Sequence, residues 1–164
     1  MLERGSHVFV DTNVILEAHR ARCWPGLVGY YRLDTVWKCV EECATGNRSA
    51  QAVQVDIEAL RQQLLPKTVS VTDAAALRLR LTAPIDLDPG EAELLAYVGG
   101  EPDAWLLCSP DRGAIRAARL LGILDRVVAM EDMVATVGVH VELRRHFLSA
   151  WLADFRTRLA LEDV

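Results

Sequence analysis

The sequence predicts an α/β fold in which helices cover both faces of a central parallel sheet of four to five strands. Short apolar runs of strand length alternate along the chain with segments that show helical spacing. Turn and helix-capping residues separate these segments. Strands that are apolar throughout and alternate with helices are typical of a parallel sheet buried on both faces. The length of 164 residues suits a single domain with one large core.

The first half of the chain is expected to open with a strand, a turn and a helix. Residues 8–10 form an apolar run that stops at Asp11, and Val14, Ile15 and Ala18 then keep helical spacing. A break at residues 23–26 follows, and then a helix through Val36, Val40 and Cys43, which Asp34 or Thr35 caps and which ends at Gly46. A polar loop at 46–51 leads to a helix through Val55, Ala59 and Leu64, which ends at Pro66. An alternating strand is expected at 68–71.

The second half continues the alternation of helix and strand. It begins with a short helix, which Thr72 caps and which contains Leu77 and Leu81, and continues with a loop from 84 to 90. A helix at 91–98 ends at two glycines. A buried strand at 105–108, a helix at 112–121 and a last strand at 127–129 follow.

The end of the chain is expected to form an amphipathic helix from about residue 139 to 161, because apolar side chains recur there at helical spacing. These side chains are Leu143, Phe147, Trp151, Phe155 and Leu159. We therefore expect a domain at residues 1–138 and a helical extension at 139–164. The extension is expected to pack on its own domain or to form an interface, such as that of a homodimer.

Composition excludes several classes of protein. No apolar run approaches the roughly 20 residues of a membrane span, and no secretory signal is visible. We therefore expect no membrane partner, a cytoplasmic location and four free cysteine thiols. The net charge of −5 argues against a general nucleic-acid coat but leaves room for a local basic groove. No glycine-rich loop follows the first strand, which counts against dinucleotide binding and P-loop chemistry.

Acidic residues stand where the predicted strands end. Asp11 and Asp111 each follow an apolar strand and open a helix, and the ligands of open parallel sheets gather at this edge. Glu91 begins its helix on the side that also carries Leu94 and Leu95, so its carboxylate is expected to face the sheet. The alternative role for each of these acids is to cap its own helix or to stabilise the helix dipole.

A further acid is expected from the helix at 36–43. Glu41 and Glu42 flank the apolar stripe of this helix on opposite sides, and helical geometry does not choose between them. Three or four carboxylates that converge without a His or Cys cluster suit Mg²⁺ or Mn²⁺ rather than zinc. Such ions can neutralise a scissile phosphate and orient a water for in-line attack.

Four segments of the chain resemble the PIN-domain nucleases, and they occur in the order of that family. They are residues 9–16 (FVDTNVIL), residues 40–43 (VEEC) ahead of Gly46, residues 88–93 (DPGEAE) and residues 106–111 (LLCSPD). The resemblance covers roughly residues 7–138. It implies a three-layer α/β/α sandwich with four acids that bind Mg²⁺ or Mn²⁺ and hydrolyse RNA phosphodiester bonds.

The resemblance also implies which residues form the site. Carried over by position, the four acids are Asp11, Glu42, Glu91 and Asp111, and the supporting polar residues are Asn13 and Ser109. Glu42 is preferred over Glu41 because family members often carry a glutamate four residues before a glycine, as Glu42 stands to Gly46. Pro110 and the C-terminal helix depart from the family's pattern.

Many small bacterial members of this family are toxins that a protein partner inhibits, so the resemblance implies an RNA substrate and an antitoxin-like partner. Arginines near the site are expected to contact the substrate, namely Arg20, Arg22, Arg112 and Arg116. The alternative function is a catalytically silent PIN-fold module that binds protein or RNA, which the net negative charge and the amphipathic tail favour. The presence of all four acids favours the enzyme.

Overall fold

The computed structural model describes residues 1–45, 53–81 and 85–162, and these form an α/β fold. In chain order the elements are β1 (His7–Val10), α1 (Thr12–Arg20), α2 (Trp24–Tyr30), β2 (Arg32–Asp34), α3 (Trp37–Thr45), α4 (Ile57–Leu64), α5 (Val71–Arg80), α6 (Pro89–Val98), β3 (Leu106–Cys108), α7 (Arg112–Leu120), β4 (Val127–Val128), α8 (Met130–Val137) and α9 (Ser149–Leu161). The predicted helix end at Gly46 and the predicted polar loop at 46–51 lie outside the described residues.

The strands of the described residues form one sheet in the order β2-β1-β3-β4, and every pair is parallel. The prediction of a parallel sheet with four to five strands is therefore confirmed, and the described residues contribute four strands to it. Val10 at the end of β1 is in register with Cys108 at the end of β3. Because these two strands are central neighbours, the residues that follow them, Asp11 and Ser109, leave the sheet side by side at its carboxyl edge.

Alternate side chains of the central strands enter two apolar cores, as the pleat of a strand requires. Phe9 and Leu107 lie in a core that α5, α6, α7 and α9 cover, whereas Val8 and Val10 lie in a core that α1, α2, α4 and α8 cover. Helix α3 contributes to both cores. The sheet thus has helices on both faces, which is compatible with a three-layer α/β/α sandwich.

Side-chain caps determine where several helices begin. Asp11 precedes α1 and accepts a hydrogen bond from the Val14 N–H, and Asp111 precedes α7 and accepts from the Gly113 N–H. Each cap satisfies a backbone donor that the first turn of a helix leaves unpaired. The predicted starts of both helices directly after the strands are confirmed.

The predicted strand at residues 68–71 is wrong, because this segment leads into α5. Ser70 is the N-cap of α5, and its hydroxyl oxygen accepts a hydrogen bond from the Asp73 N–H at 3.1 Å. Val71 is therefore the first helical residue, and Thr72 lies within the helix rather than capping it. The apolar alternation was real, but a serine three residues before an acid favours a helix start.

Two further elements begin where the sequence did not indicate them. Helix α2 starts at Trp24, inside the predicted break at 23–26, because Pro25 fits the first turn of a helix. The three-residue strand β2 was not predicted, because its one apolar residue, Leu33, lies between the charged Arg32 and Asp34 and forms no apolar run.

The C-terminal helix is shorter than predicted. The α-helix begins at Ser149, after a 3₁₀ turn at Arg145–Phe147, and not at about residue 139. Phe147 is buried in the core beneath α1, whereas Leu152, Phe155 and Leu159 are buried in the core that α6 and α7 share. The predicted stripe therefore packs on its own domain from two different elements.

All four cysteines are free and buried. Within the described ranges, no helix combines the length and the apolar character that a bilayer crossing requires.

Candidate active site

Asp11 occupies the first position after β1 and is almost fully buried, with 1% of its surface exposed. Its Oδ1 accepts a hydrogen bond of 2.8 Å from the Val14 N–H. Its Oδ2 accepts a hydrogen bond of 2.5 Å from the hydroxyl of Ser109, which follows β3. The carboxylate is thus held in one orientation by the first turn of α1 and by the residue that follows β3.

Asp111 lies two residues beyond Ser109 and caps α7. Its Oδ1 accepts hydrogen bonds from the backbone N–H groups of Gly113 at 2.6 Å and Ala114 at 3.2 Å. Its own backbone N–H donates to Ser109 Oγ at 3.3 Å. Ser109, predicted as a supporting residue, therefore contacts both strand-end acids.

Glu42 reaches the site from α3. Its Oε2 accepts a hydrogen bond of 2.7 Å from the Thr12 hydroxyl, and its Oε1 accepts one of 3.0 Å from the Gly90 N–H. A Cβ atom at residue 90 would lie 2.5 Å from Glu42 Oε2, so only glycine leaves room for this carboxylate. The neighbouring Glu41 is exposed and pairs with Lys38 at 3.1 Å. The two glutamates that helical geometry left open thus have different surroundings, and Glu42 faces the other acids.

Glu91 lies in the first turn of α6, with 6% of its surface exposed. Its Oε2 accepts a hydrogen bond of 3.1 Å from the backbone N–H of Asp88, which forms a capping box with it. Its Oε1 is buried and has no hydrogen-bond partner among the described residues. This oxygen is therefore open to a proton or a cation from outside the chain.

Burial and mutual repulsion raise the pKa values of two of these acids. Burial raises the pKa of Asp11 to about 7; the hydrogen bonds from Ser109 and Val14 oppose this rise, and the charges of Asp111 and Glu42 add to it. Burial also raises the pKa of Glu91 to about 8, with the charges of Asp111 and Asp11 adding to the effect. Asp11 thus lies close enough to Glu42, Glu91 and Asp111 for their negative charges to repel.

Three of the four acids line one cavity of about 320 Å³, here called the acidic cavity. Its lining residues are Asp11, Thr12, Asn13, Leu16, Glu42, Asp88, Pro89 and Glu91. Among the described residues, the lining therefore holds four carboxylates and neither lysine nor arginine. Asp111 lines a neighbouring cavity, and Asn13, which was predicted to support Asp11, lines both.

The carboxylates match a hard cation in donor type but do not form a ready-made cluster. No group of three or more His, Cys, Asp or Glu side chains in the described parts of the chain is arranged around a common metal position. Backbone and hydroxyl donors instead hold both oxygens of Asp11 and Glu42 and one oxygen each of Glu91 and Asp111, whereas the buried Glu91 Oε1 has no hydrogen-bond partner among the described residues. Oxygen ligands alone, with one buried oxygen unpaired, fit Mg²⁺ or Mn²⁺.

The predicted substrate arginines lie in different places. Arg20 donates two hydrogen bonds to Glu17, at 2.8 and 2.6 Å, and one to the carbonyl of Glu142. Arg116 pairs with Glu162 at 2.6 Å. Arg112 lines the cavity that holds Asp111, whereas Arg22 is exposed just beyond α1.

Sequence reasoning missed several residues of the site. Thr12 and Gly90 hold Glu42, and Asp88 holds Glu91. The signal for Asp88 was present, because an Asp followed by Pro and then by Glu at the third helical position is a capping-box pattern. No sequence signal pointed to Arg145 and Trp151, which reach the cavity of Asp111 only through the fold.

Comparisons with known proteins do not identify a family for this chain. No family model matches it, and neither the curated proteins nor the solved structures include a match. Its function therefore has to be argued from the residues of the site.

Proposed function

We propose that this protein is a metal-dependent endoribonuclease of the PIN type that hydrolyses RNA phosphodiester bonds at the acidic cavity. The observation that carries this proposal is the uncompensated charge of the cavity. Asp11, Glu42, Asp88 and Glu91 line it, and none of the lining residues within 1–45, 53–81 and 85–162 is basic. Asp11 and Glu91 are buried in it, and buried carboxylates that lack a basic partner require a proton or a cation. Oxygen ligands of this kind favour a divalent ion.

The residues that would hold Mg²⁺ or Mn²⁺ are Asp11, Glu42, Glu91 and Asp111. When bound, such an ion supplies charge neutralisation at the scissile phosphate and lowers the pKa of a water. The chain itself orients the carboxylates. Ser109 fixes Asp11, Thr12 and the Gly90 N–H fix Glu42, and the Asp88 N–H fixes one oxygen of Glu91. Orientation of ligands by such partners commonly changes metal affinity or activity by about 10- to 100-fold.

Two features support the PIN type in particular. The acids follow one another in the order that the resemblance implies, from β1, α3, α6 and the end of β3, and they converge at the carboxyl edge of a parallel sheet. We further propose that the fold is the three-layer sandwich of that family, that the substrate is RNA and that the protein acts in the cytoplasm. We also propose an antitoxin-like partner, which rests on the resemblance alone, and a homodimer, which rests on the amphipathic pattern of the C-terminal segment.

A second candidate function is a catalytically silent module of the same fold. The specific observation in its favour is that Asp11, Glu91 and Asp111 all satisfy backbone donors at helix starts. Helix capping alone would retain these acids without any catalysis. The two functions differ in whether a divalent ion binds and supports hydrolysis.

The experiment that separates them is cleavage of an unstructured RNA by the wild-type protein and by Asp11→Asn, in Mg²⁺, in Mn²⁺ and in EDTA. Asparagine retains the capping oxygen for the Val14 N–H, so the fold of Asp11→Asn is expected to persist. We expect the wild type to cleave only with metal and Asp11→Asn to lose at least 100-fold in rate. Cleavage that survives in Asp11→Asn, or that continues in EDTA, would contradict the proposal.

A further inference from the structure

A second cavity, of about 440 Å³, adjoins the acidic cavity and shares Asn13 with it. It is here called the arginine cavity, and its lining includes Asp111, Arg112, Arg145, His146 and Trp151. Its volume is within the range of about 300–1,000 Å³ that small-molecule sites occupy. Helix α7 therefore contributes one arginine to this cavity, and the C-terminal segment contributes a second arginine and an aromatic ring, beside the candidate catalytic acids.

The two arginines of this cavity are available for an external anion. Arg112 and Arg145 are both exposed, and neither forms an ion pair among the described residues. Other arginines nearby are engaged: Arg20 and Arg144 pair with Glu17, and Arg116 pairs with Glu162. Guanidinium groups without a carboxylate partner are suited to a phosphate, which they can bind in a bidentate manner.

Trp151 supplies a fixed aromatic surface to the same cavity. Its ring stacks on Phe155, with the ring centroids 5.5 Å apart and the planes inclined by 12°. Phe155 is buried in the core, and the guanidinium of Arg112 lies 5.9 Å from its ring centroid. Trp151 itself is half-buried, so part of its ring remains accessible from the cavity. An immobilised indole of this kind is a stacking surface for a nucleobase.

Contacts on the N-terminal side fix the turn that carries Arg145. Glu17 is buried beneath this segment and accepts a hydrogen bond of 2.8 Å from the backbone N–H of Arg144. Arg20 joins the same network, because it donates to Glu17 and to the carbonyl of Glu142. The chain on this side of the turn is thus tied to α1.

Contacts on the C-terminal side fix the start of α9 and with it Trp151. Glu131 accepts a hydrogen bond of 2.8 Å from the Ser149 N–H, and Asp132 accepts one of 2.5 Å from the Ser149 hydroxyl. Both acids belong to the first turn of α8. Since both ends of the turn are held, the cavity is preorganised, which reduces the entropy cost of binding.

We propose that the arginine cavity binds one unpaired nucleotide next to the scissile phosphate, with its base on Trp151 and its phosphate on Arg112 and Arg145. This inference rests on the proposed nuclease function for the identity of the neighbouring acidic cavity. A base can stack on a protein ring only when it has left its own helix, so a duplex cannot fill this cavity in the same way.

The test is fluorescence anisotropy with a labelled 12-nucleotide polyuridine RNA, single-stranded or annealed to polyadenosine, in EDTA so that no metal-dependent cleavage occurs. The full-length wild type is compared with Trp151→Ala, Trp151→Phe, Arg145→Gln and the control Arg158→Gln. Arg158 is exposed on α9 and does not line the cavity. Circular dichroism and the urea unfolding midpoint show whether each variant is folded.

We expect the single strand to bind at least tenfold more tightly than the duplex. Trp151→Ala is expected to weaken binding of the single strand by about 5- to 100-fold, the usual effect of removing one stacking ring. Trp151→Phe keeps an aromatic face and is expected to remain within about threefold of the wild type. Arg145→Gln is expected to weaken binding and to reduce its salt dependence, whereas Arg158→Gln is expected to change neither.

The outcomes separate this inference from the proposed function. Equal binding of both RNAs, no RNA binding by the wild type, or unchanged affinity in folded Trp151→Ala and Arg145→Gln would overturn the nucleotide site. If the wild type still cleaves RNA with metal while any of these results is obtained, the proposed nuclease function is retained and only the nucleotide site is rejected. Conversely, binding that depends on Trp151 in a protein without metal-dependent cleavage would support the cavity and contradict the nuclease.

Discussion

Ser109 donates a 2.5 Å hydrogen bond to Oδ2 of Asp11, and this contact joins the carboxyl ends of the two central strands. Val10 and Cys108 are in register, so the residue after β1 and the residue after β3 meet without a gap. Ser109 also accepts a hydrogen bond from the backbone N–H of Asp111. One hydroxyl group therefore sets the position of two of the four candidate metal ligands.

Replacement of Ser109 by alanine is expected to weaken Mn²⁺ binding by about tenfold at pH 7, as removal of a ligand's supporting partner often does. The serine hydrogen bond lowers the pKa of Asp11, so its loss raises that pKa further above 7. Part of the affinity should therefore return at pH 8.5, where a larger fraction of Asp11 is ionised than at pH 7. Calorimetric titration of Ser109→Ala at both pH values measures this, and equal weakening at the two would contradict the role given to Ser109.

Without metal, the protein is expected to lose stability as the pH rises from 5 to 8. The pKa values of Asp11, about 7, and Glu91, about 8, lie above their ordinary values of 3.8 and 4.5, so in this range the folded state binds more protons than the unfolded state. The free energy of unfolding then falls with a limiting slope of about 1.4 kcal/mol per pH unit for each proton.

Urea unfolding in EDTA at pH 5.5 and pH 8 measures this slope. Asp11→Asn removes one of the two titrating groups, so it should unfold at a higher urea concentration than the wild type at pH 8 and show a smaller pH dependence. An identical pH dependence in the wild type and the variant would show that Asp11 does not carry a raised pKa.

Glu42 and Glu41 form a matched pair for mutation, since they are adjacent on α3 but differ in surroundings. Glu42→Gln is expected to reduce Mn²⁺ affinity and RNA cleavage by at least tenfold, because it removes a carboxylate from the acidic cavity. Glu41→Gln is expected to leave both unchanged, because the Glu41 side chain is exposed, pairs with Lys38 and does not line the acidic cavity. A larger loss of Mn²⁺ affinity and cleavage in Glu41→Gln than in Glu42→Gln would show that Glu41, and not Glu42, is the acid that this helix contributes to the site.

The sequence was most informative where a cap or a buried strand makes the local pattern unambiguous. Asp11 and Asp111 were predicted to lie together because apolar strands precede both, and the parallel register places them at one edge. The prediction of a strand at 68–71 was wrong because two local patterns compete there. Ser70 offers an oxygen to the Asp73 N–H, and this local contact outweighs the β-type alternation.

The rest of the site depends on contacts that no local pattern encodes. The choice between Glu41 and Glu42 follows from Thr12 and Gly90, which are distant in sequence and meet Glu42 only in the fold. The start of α9 is likewise determined by acids of α8 that bind Ser149, so helical spacing at Leu143 misled the prediction. The spacing of apolar residues reports on a single helix or strand, whereas the positions of these residues depend on contacts between two elements.

The network around Glu17 is expected to stabilise the fold and the arginine cavity together. Burial alone would raise the pKa of Glu17, but hydrogen bonds from Arg20 and from the Arg144 backbone bring it below its ordinary value. Glu17→Gln weakens these charge-assisted bonds and should cost about 2 kcal/mol of stability at pH 7. This contribution requires ionised Glu17 and is lost as the pH falls below about 4.5.

Urea unfolding of Glu17→Gln at pH 7 and pH 4 tests this role, with Glu142→Gln as the control. Arg20 binds the backbone carbonyl of Glu142, so the control substitution retains that hydrogen bond. A cost for Glu17→Gln that is the same at both pH values would argue against a charged Glu17 in this network.

Calorimetric titration of Mn²⁺ into the wild type and Asp11→Asn, side by side at pH 7.5, is the most direct test of the acidic cavity as a metal site. We expect micromolar binding to the wild type and none to the variant, with circular dichroism unchanged between the two. Absence of binding to the wild type, or equal binding to a folded Asp11→Asn, would contradict a metal site at these carboxylates and leave them as helix caps.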